Sequence, residues 1–312
     1  MRVLAAVLVP GLLLAVAPAP AQQVPDTTFD TRVAAPGWPP GTGPRLLLDE
    51  AHHNFHRLDG RYRPFGDLAR HDGFRVAANP APFTSGSLAG QDVLVIANAM
   101  GSEDMSDSAA ALPAFTAGEI AAVLAWVEAG GGLLLIADHA PFGGAAGTLA
   151  RAFDVDMRSA YTIDPLRAGG GNPSLIPFSI GRGLDSTHAI VRGRRPGERV
   201  RIVKTFTGQS LAGPPGSTAL LALSDSAQDL MVSYSERQRG SKVPPGKRWS
   251  AAGRAQGLAF TLGRGRVVVL GEAAMMSAQI AGRSFQMGMN QPGNDNKQFA
   301  LNTLRWLAKL LE

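Results

Sequence analysis

Apolar residues in this chain gather into short unbroken runs, each closing on an acidic or polar residue. Arg45-Leu46-Leu47-Leu48-Asp49 is one, Asp92-Val93-Leu94-Val95-Ile96-Ala97-Asn98 another, and Leu133-Leu134-Leu135-Ile136-Ala137-Asp138 a third. Runs of this length without alternation mark strands buried on both faces of a parallel sheet. Phe74 to Ala78 predicts a further strand, and Pro64 to Asp72 a short helix before it. The clearest helix starts at Thr116, where Thr116 and Glu119 make a T-x-x-E capping box. It continues through Ile120, Val123, Leu124 and Val127 and stops at Gly130-Gly131-Gly132. Near the C-terminus, Leu258 to Leu262 and Val267 to Leu270 flank Gly263-Arg264-Gly265 as an antiparallel hairpin whose second strand ends at Gly271-Glu272. A helix from Asn296 to Leu311 follows, with Phe299, Leu301, Leu304, Trp306, Leu307 and Leu310 as its apolar face.

Strands alternating with helices predict one α/β domain over residues 45–312, with a mostly parallel sheet covered on both faces. Residues 154–250 carry a weaker pattern and are read as an elaboration of that domain. Candidate strands there run from Val200 to Phe206, Ala219 to Leu223 and Leu230 to Tyr234, with loops at Gly169-Gly170-Gly171 and Pro244-Pro245-Gly246. Residues 22–44, with Pro36, Pro39, Pro40 and Pro44 and no apolar period, predict an extended leader.

The N-terminus changes the picture of where the protein works. Met1-Arg2, an apolar run from Val3 to Val16 and Ala19-Pro20-Ala21 have the order of a secretory signal, so residues 1–21 are expected to be cleaved, leaving no membrane-spanning segment. The chain has no cysteine. It can therefore be neither a lipoprotein anchored through a thiol nor disulfide-bonded, and a periplasmic or secreted location is expected. A net charge of +5, with arginine clusters at Arg192 to Arg201 and Arg237 to Arg248, suggests nucleic acid by itself. Export argues against that partner and leaves a solvated basic surface, or attraction to anionic envelope components.

Ligands of open parallel sheets bind beyond the carboxyl ends of the strands. Those ends here carry Asp49, Glu50, His52 and His56 after the first strand, Asn98 after the third, Asp138-His139 after the fourth and Glu272 after the last. His52 and His56 lie four apart, which puts them on one side of either a helix or a strand. With His139 they could hold a divalent metal such as zinc or manganese, since both ions take neutral imidazole and carboxylate ligands. Without metal, Glu50, Asp138 and Glu272 are the candidate acid and base groups, with Asp49, His52, His56, Asn98 and His139 binding the ligand. A purely structural role, in which these groups tie loops together, stands beside both.

Other motifs point to less. Gly208-Gln209-Ser210-Leu211-Ala212 is followed by Gly213-Pro214-Pro215-Gly216 instead of the helix a nucleophile elbow needs. Gly169-Gly170-Gly171 lacks the Lys-Ser/Thr of a phosphate loop. His188 reads as a packing histidine, and Met275-Met276, Met287 and Met289 as packing near the last strand, with a mobile loop at Met287-Gly288-Met289-Asn290 roofing the pocket as the alternative.

The ordered set of Leu48-Asp49-Glu50-Ala51-His52, Asp92 to Asn98, Gly131 to His139, the Gly263-Arg264-Gly265 hairpin with Gly271-Glu272, and the terminal Asn302 to Leu307 helix resembles the class I glutamine amidotransferase-like superfamily. Within it, the chain is similar to an uncharacterised branch found in gliding-motility and transporter-associated proteins. The resemblance covers most of residues 45–311 and implies a flavodoxin-like three-layer fold, with branch positions at Asp49, Glu50, His52, Asp138 and Glu272. The catalytic branches place a cysteine after a central strand. Here that turn reads Asp138-His139-Ala140 and no thiol exists, so glutaminase and cysteine-hydrolase chemistry are excluded. Three functions follow: binding of a small polar ligand or glycan, hydrolysis by the same residues, or non-catalytic envelope assembly.

Overall fold

The structure, a computed structural model, describes residues 23–240 and 242–312. The expected signal segment, residues 1–21, lies outside the described residues. The apolar runs form the centre of the fold. Strands β1 (Arg45–Asp49), β2 (Arg75–Asn79), β3 (Val93–Ala97) and β4 (Gly132–Ile136) are parallel, in the spatial order β2-β1-β3-β4. Their registers pair Leu47 with Ala77 and Leu94, and Leu94 with Leu133.

Alternate residues of the buried runs face opposite layers. Leu46, Leu48, Val93, Val95, Leu134 and Ile136 join one apolar cluster, to which helix α1 (Arg63–His71) brings Phe65 and Leu68. Leu47, Leu94, Ile96, Leu133 and Leu135 join the other, packed by Val123 and Val127 of α2 (Ala117–Glu128) and by Leu149 of α3 (Phe142–Ala152). The last helix, α4 (Asn296–Leu307), adds Phe299 and Leu304 to the first layer. This three-layer α/β arrangement is flavodoxin-like, and the helix-starting capping box at Thr116 and Glu119 forms as the motif predicts.

The sheet continues beyond β4 by changing direction. Numbered in chain order, the remaining strands of the main sheet are β5 (Leu175–Ile180), β6 (Gly183–Leu184), β7 (Ile202–Phe206), β8 (Thr218–Ala222), β9 (Ala255–Leu262) and β10 (Gly265–Leu270). β10 runs parallel to β4, and β9 turns back on β10 at Gly263, whose φ of 56° favours a residue without a side chain. β8 pairs antiparallel with β9, and β6, β5 and β7 follow outward. Residues 154–250 thus extend the sheet and add a small sheet of Tyr161–Ile163, Gln228–Leu230 and Arg248–Ser250.

Three expectations are corrected. The strand expected at Leu230 to Tyr234 ends at Leu230, because Ser233 and Glu236 form a capping box that starts a helix at Tyr234–Gln238. The terminal helix stops at Leu307, and Lys309 takes a left-handed φ of 62°. The leader is more than an extended tail: Gln23–Pro25 pairs with Ala278–Ala281, which pairs in turn with Phe285–Gly288. Trp38 then lies edge-on to Phe74, 4.9 Å away. Among the described residues no helix is long and apolar enough to cross a membrane.

Candidate functional site

A cavity of about 730 Å³ opens at the carboxyl ends of the parallel strands, within the range of small-molecule sites, about 300–1,000 Å³. Asn98 reaches it from the end of β3, Asp138 and His139 from β4, and Glu272 from β10. His56 enters from the loop after β1. Tyr234 and Gln238, one helical turn apart, face it from the far side with Met287. Strand order reverses between β1 and β3, which is where an open α/β sheet leaves a crevice.

Hydrogen bonds tie the three central strand ends together. Asn98 adopts a left-handed φ of 52°, which asparagine tolerates, and its Oδ1 accepts from the Asp138 amide at 2.9 Å. With that oxygen engaged, the Asn98 side-chain amide is the remaining donor. Asp138 accepts from the His139 amide at 2.7 Å and from the Ala273 amide at 3.4 Å. Glu272 is fully buried and accepts from the amides of Ala274 and Met275 at 2.7 and 2.8 Å.

Burial, and then the negative charge of Asp138, push the Glu272 carboxyl well above the usual carboxylate range, outweighing those amide bonds. Glu272 is thereby biased towards its protonated form relative to an ordinary glutamate. His139 donates from Nδ1 to the Ala140 carbonyl at 2.7 Å, so the neutral ring presents Nε2 as an acceptor. Its ring stacks on Tyr161 at 4.5 Å, and Tyr234 lies parallel beyond at 6.5 Å. His56 is 3% exposed and stacks on Tyr62 at 4.4 Å. Burial, with the Arg61 charge second, lowers its pKa to about 3, which keeps it neutral.

The remaining expected site residues lie elsewhere. Asp49 is buried and accepts from His52 Nδ1 at 2.9 Å and from Asn54 Nδ2 at 3.0 Å. His52 Nε2 donates to Glu119 at 2.7 Å, so both of its nitrogens are committed to carboxylates. Glu50 forms an ion pair with Arg57 at 2.8 Å and accepts from the Leu58 amide, outside the cavity. The expectation that His52 and His56 share a side is overturned by His53, whose φ of 48° breaks both helical and strand periodicity. His52, His56 and His139 are consequently not brought together, and among the described residues no group of three His, Asp or Glu side chains is arranged to hold a metal ion.

Several site residues escaped the sequence reading. Arg61 lines the cavity with its guanidinium 3.9 Å from the centre of the Phe55 ring. Gln279 lines it from the small N-terminal sheet. Gln209, inside the segment dismissed as a turn, is fully buried and braces the site. Its Nε2 donates to the Ala137 and Asp138 carbonyls at 2.8 and 3.1 Å, and its Oε1 accepts from the Ser159 amide at 2.7 Å. Gly208, with a φ of 106°, allows this approach, because a Cβ there would sit 2.5 Å from the Gly271 carbonyl. Gln209→Leu is expected to destabilise the fold by about 1–3 kcal/mol, the cost of stranding buried polar groups, as read by urea unfolding.

No family model and no curated protein sequence matches the chain. Among solved structures it is similar to the mmIFT52 N-terminal domain, at 13% identity and a TM-score of 0.59, covering 84% of this chain and 97% of that one. It is also similar to cytoplasmic protein STM3548 from Salmonella typhimurium, at 12% identity and a TM-score of 0.49 over 85% and 98% of the two chains. A third is a protein described as ThuA-like from Parabacteroides merdae, at 13% identity and a TM-score of 0.44 over 86% and 90%. The likeness to the mmIFT52 domain, at 13% identity, speaks to the fold alone: a mixed α/β architecture.

Proposed function

We propose that this protein is exported and that its strand-end cavity binds a polar, hydroxyl-rich ligand, a glycan or another envelope component. The observation that carries this reading is a set of cavity-lining side chains with polar atoms left over. His56 Nδ1, Arg61 Nε and Gln279 Oε1 are buried and have no hydrogen-bond partner among the described residues. Native proteins rarely leave such atoms unpaired unless something else fills the role. Alongside them, Asp138 and His139 Nε2 offer acceptors and the Asn98 side-chain amide offers a donor, a mixture suited to hydroxyl groups. The class I glutamine amidotransferase-like assignment, in the branch similar to gliding-motility and transporter-associated domains, belongs to the same proposal. The β2-β1-β3-β4-β10 order supports it.

One observation favours a second reading, a metal-free hydrolase. Asp138 and Glu272 both line the cavity, and burial with the Asp138 charge pushes Glu272 above the usual carboxylate range, a separation of two carboxyl groups that acid–base catalysis uses. Two substitutions separate the readings. Asp138→Asn is expected to weaken binding of envelope polysaccharide fragments about tenfold, or about 1.4 kcal/mol, by calorimetric titration. Glu272→Gln keeps the side-chain shape and removes the acid, but turns an NH2 group towards the Ala274 or Met275 amide, so its melting temperature is checked first. In the folded variant a binding protein should keep its affinity within about tenfold, whereas a hydrolase should still bind and lose at least about a hundredfold in turnover. If purified protein neither binds nor cleaves any such fragment, the cavity reading is wrong.

A further inference from the structure

We propose that the ligand of this cavity bears an anionic group, received by Arg61 beside His56, so that the preferred class is an acidic sugar and not a neutral one. The proposal rests on reading the cavity as a ligand site and names what that site selects.

Arg61 stands out among the arginines near the strand ends. Arg57, four residues earlier, has Glu50 and Asp59 as partners at 2.8 and 3.3 Å. Among the described residues Arg61 forms no ion pair. Its Nη1 reaches only the Phe55 carbonyl at 3.3 Å, and its buried Nε has no partner. A guanidinium held partly out of water without a counter-ion is unfavourable, and its planar fork suits carboxylate or phosphate oxygens. His56, within reach of the Arg61 charge, contributes an unpartnered Nδ1 from a 3% exposed ring.

Asp138 does not fill this role, since its oxygens are turned to the amides of His139 and Ala273. Glu272 turns its oxygens to the amides of Ala274 and Met275. The cavity therefore offers Arg61 and His56 for the anionic group, and Asp138 and His139 for hydroxyls. Tyr234, half-buried in the cavity wall, supplies a ring on which a sugar can lie.

The test is calorimetric titration of the full chain with a matched panel: glucuronate oligosaccharides, sugar phosphates, and neutral oligosaccharides of the same ring size. The acidic members are expected to bind at least about tenfold tighter than the neutral ones, with the advantage shrinking as salt is raised. The uronate and phosphate arms tell which anion is received. Arg61→Met should collapse the acid-to-neutral ratio to about one, and Arg61→Lys should keep part of it, because charge survives while the fork is lost. Should Arg61→Met fail to fold, as judged by its melting temperature, the wild-type ratio and the Arg61→Lys ratio decide. Equal binding of acidic and neutral members, or a preference unchanged in Arg61→Met, overturns the acidic class and leaves the cavity reading standing. Binding of no member by folded protein overturns both.

Discussion

His52→Leu is expected to lower the unfolding free energy by about 3–5 kcal/mol near neutral pH, the usual consequence of removing one member of a buried charge cluster. His52 is 7% exposed and sits between Asp49 and Glu119, with Phe83 and Phe115 packed against the ring at 5.1 and 4.5 Å. Leucine would fill much of the space but leave two carboxylates without their shared donor. Burial alone would lower the His52 pKa, yet the bonds and charges of Asp49 and Glu119 prevail and raise it above 6.5. Its contribution is thus complete below 6.5 and fades as pH rises through the folded-state value. Glu119 runs the other way. Burial acts to raise it, but bonds from Thr116, His52 and Phe83 lower it from 4.5, so its share is present above 4.5 and is lost as pH falls through the folded value. The stability gap between wild type and variant should be widest between about 4.5 and 6.5 and narrow on the alkaline side. Urea unfolding across that range measures it, and a gap that does not change with pH would mean the imidazole is not charged. Ligand titration of the folded variant should match wild type, because His52 lies outside the cavity.

That outcome bears on what the sequence could reveal of the site. Strand ends were legible because they depend only on topology: once the apolar runs are parallel neighbours, Asn98, Asp138, His139 and Glu272 must emerge at one edge. Spacing within the loop after β1 was not legible. It presumed regular geometry, and His53 at a φ of 48° directs His52 under α2 while His56 enters the cavity. Glu119 was visible as a capping residue but not as a partner of His52, since one carboxylate does both with different oxygens. Arg61, Gln209 and Gln279 come from stretches that carry no period, Tyr234 from the end of a run that reads as a strand, and nothing local to them announces a shared destination.

The fold divides along the same line. Fully buried parallel strands announce themselves by unbroken apolar runs, and β1, β3 and β4 lie where those runs lie. The antiparallel extension exposes parts of its strands, so β5 is mixed in pattern, β6 is only two residues long, and both are hard to separate from loop. At Ser233 two signals competed. The apolar Leu230 to Val232 favoured a continuing strand, while the S-x-x-E motif favoured a helix start, and the capping bonds prevailed.

The terminal helix hides the second large effect. Its predicted apolar face is present, but Asn302, Thr303 and Arg305 are buried as well, with Arg305 only 1% exposed. Arg305 places Nε 2.8 Å from Asp72, itself fully buried at the end of α1, while Nη2 reaches both Asp72 and the Ala35 carbonyl of the leader. Its Nη1 lies 3.2 Å from Glu198, and Asp72 also accepts from the Gly37 amide. One side chain therefore joins α4, α1, the leader and the turn before β7. Arg305→Met is expected to cost about 3–5 kcal/mol, because Asp72 would keep its burial and lose its counter-ion. For a chain of this size that is a melting temperature lower by roughly 10 °C. The double variant Asp72→Leu, Arg305→Met should recover at least about half of the loss, since an apolar pair of similar volume needs no counter-charge, the Ala35 carbonyl and Glu198 keep Arg194 as a partner, and the Gly37 amide is left to find a new one. Calorimetry of the three proteins decides: a single variant within about 1 kcal/mol of wild type would show that this ion pair does not hold the four segments together.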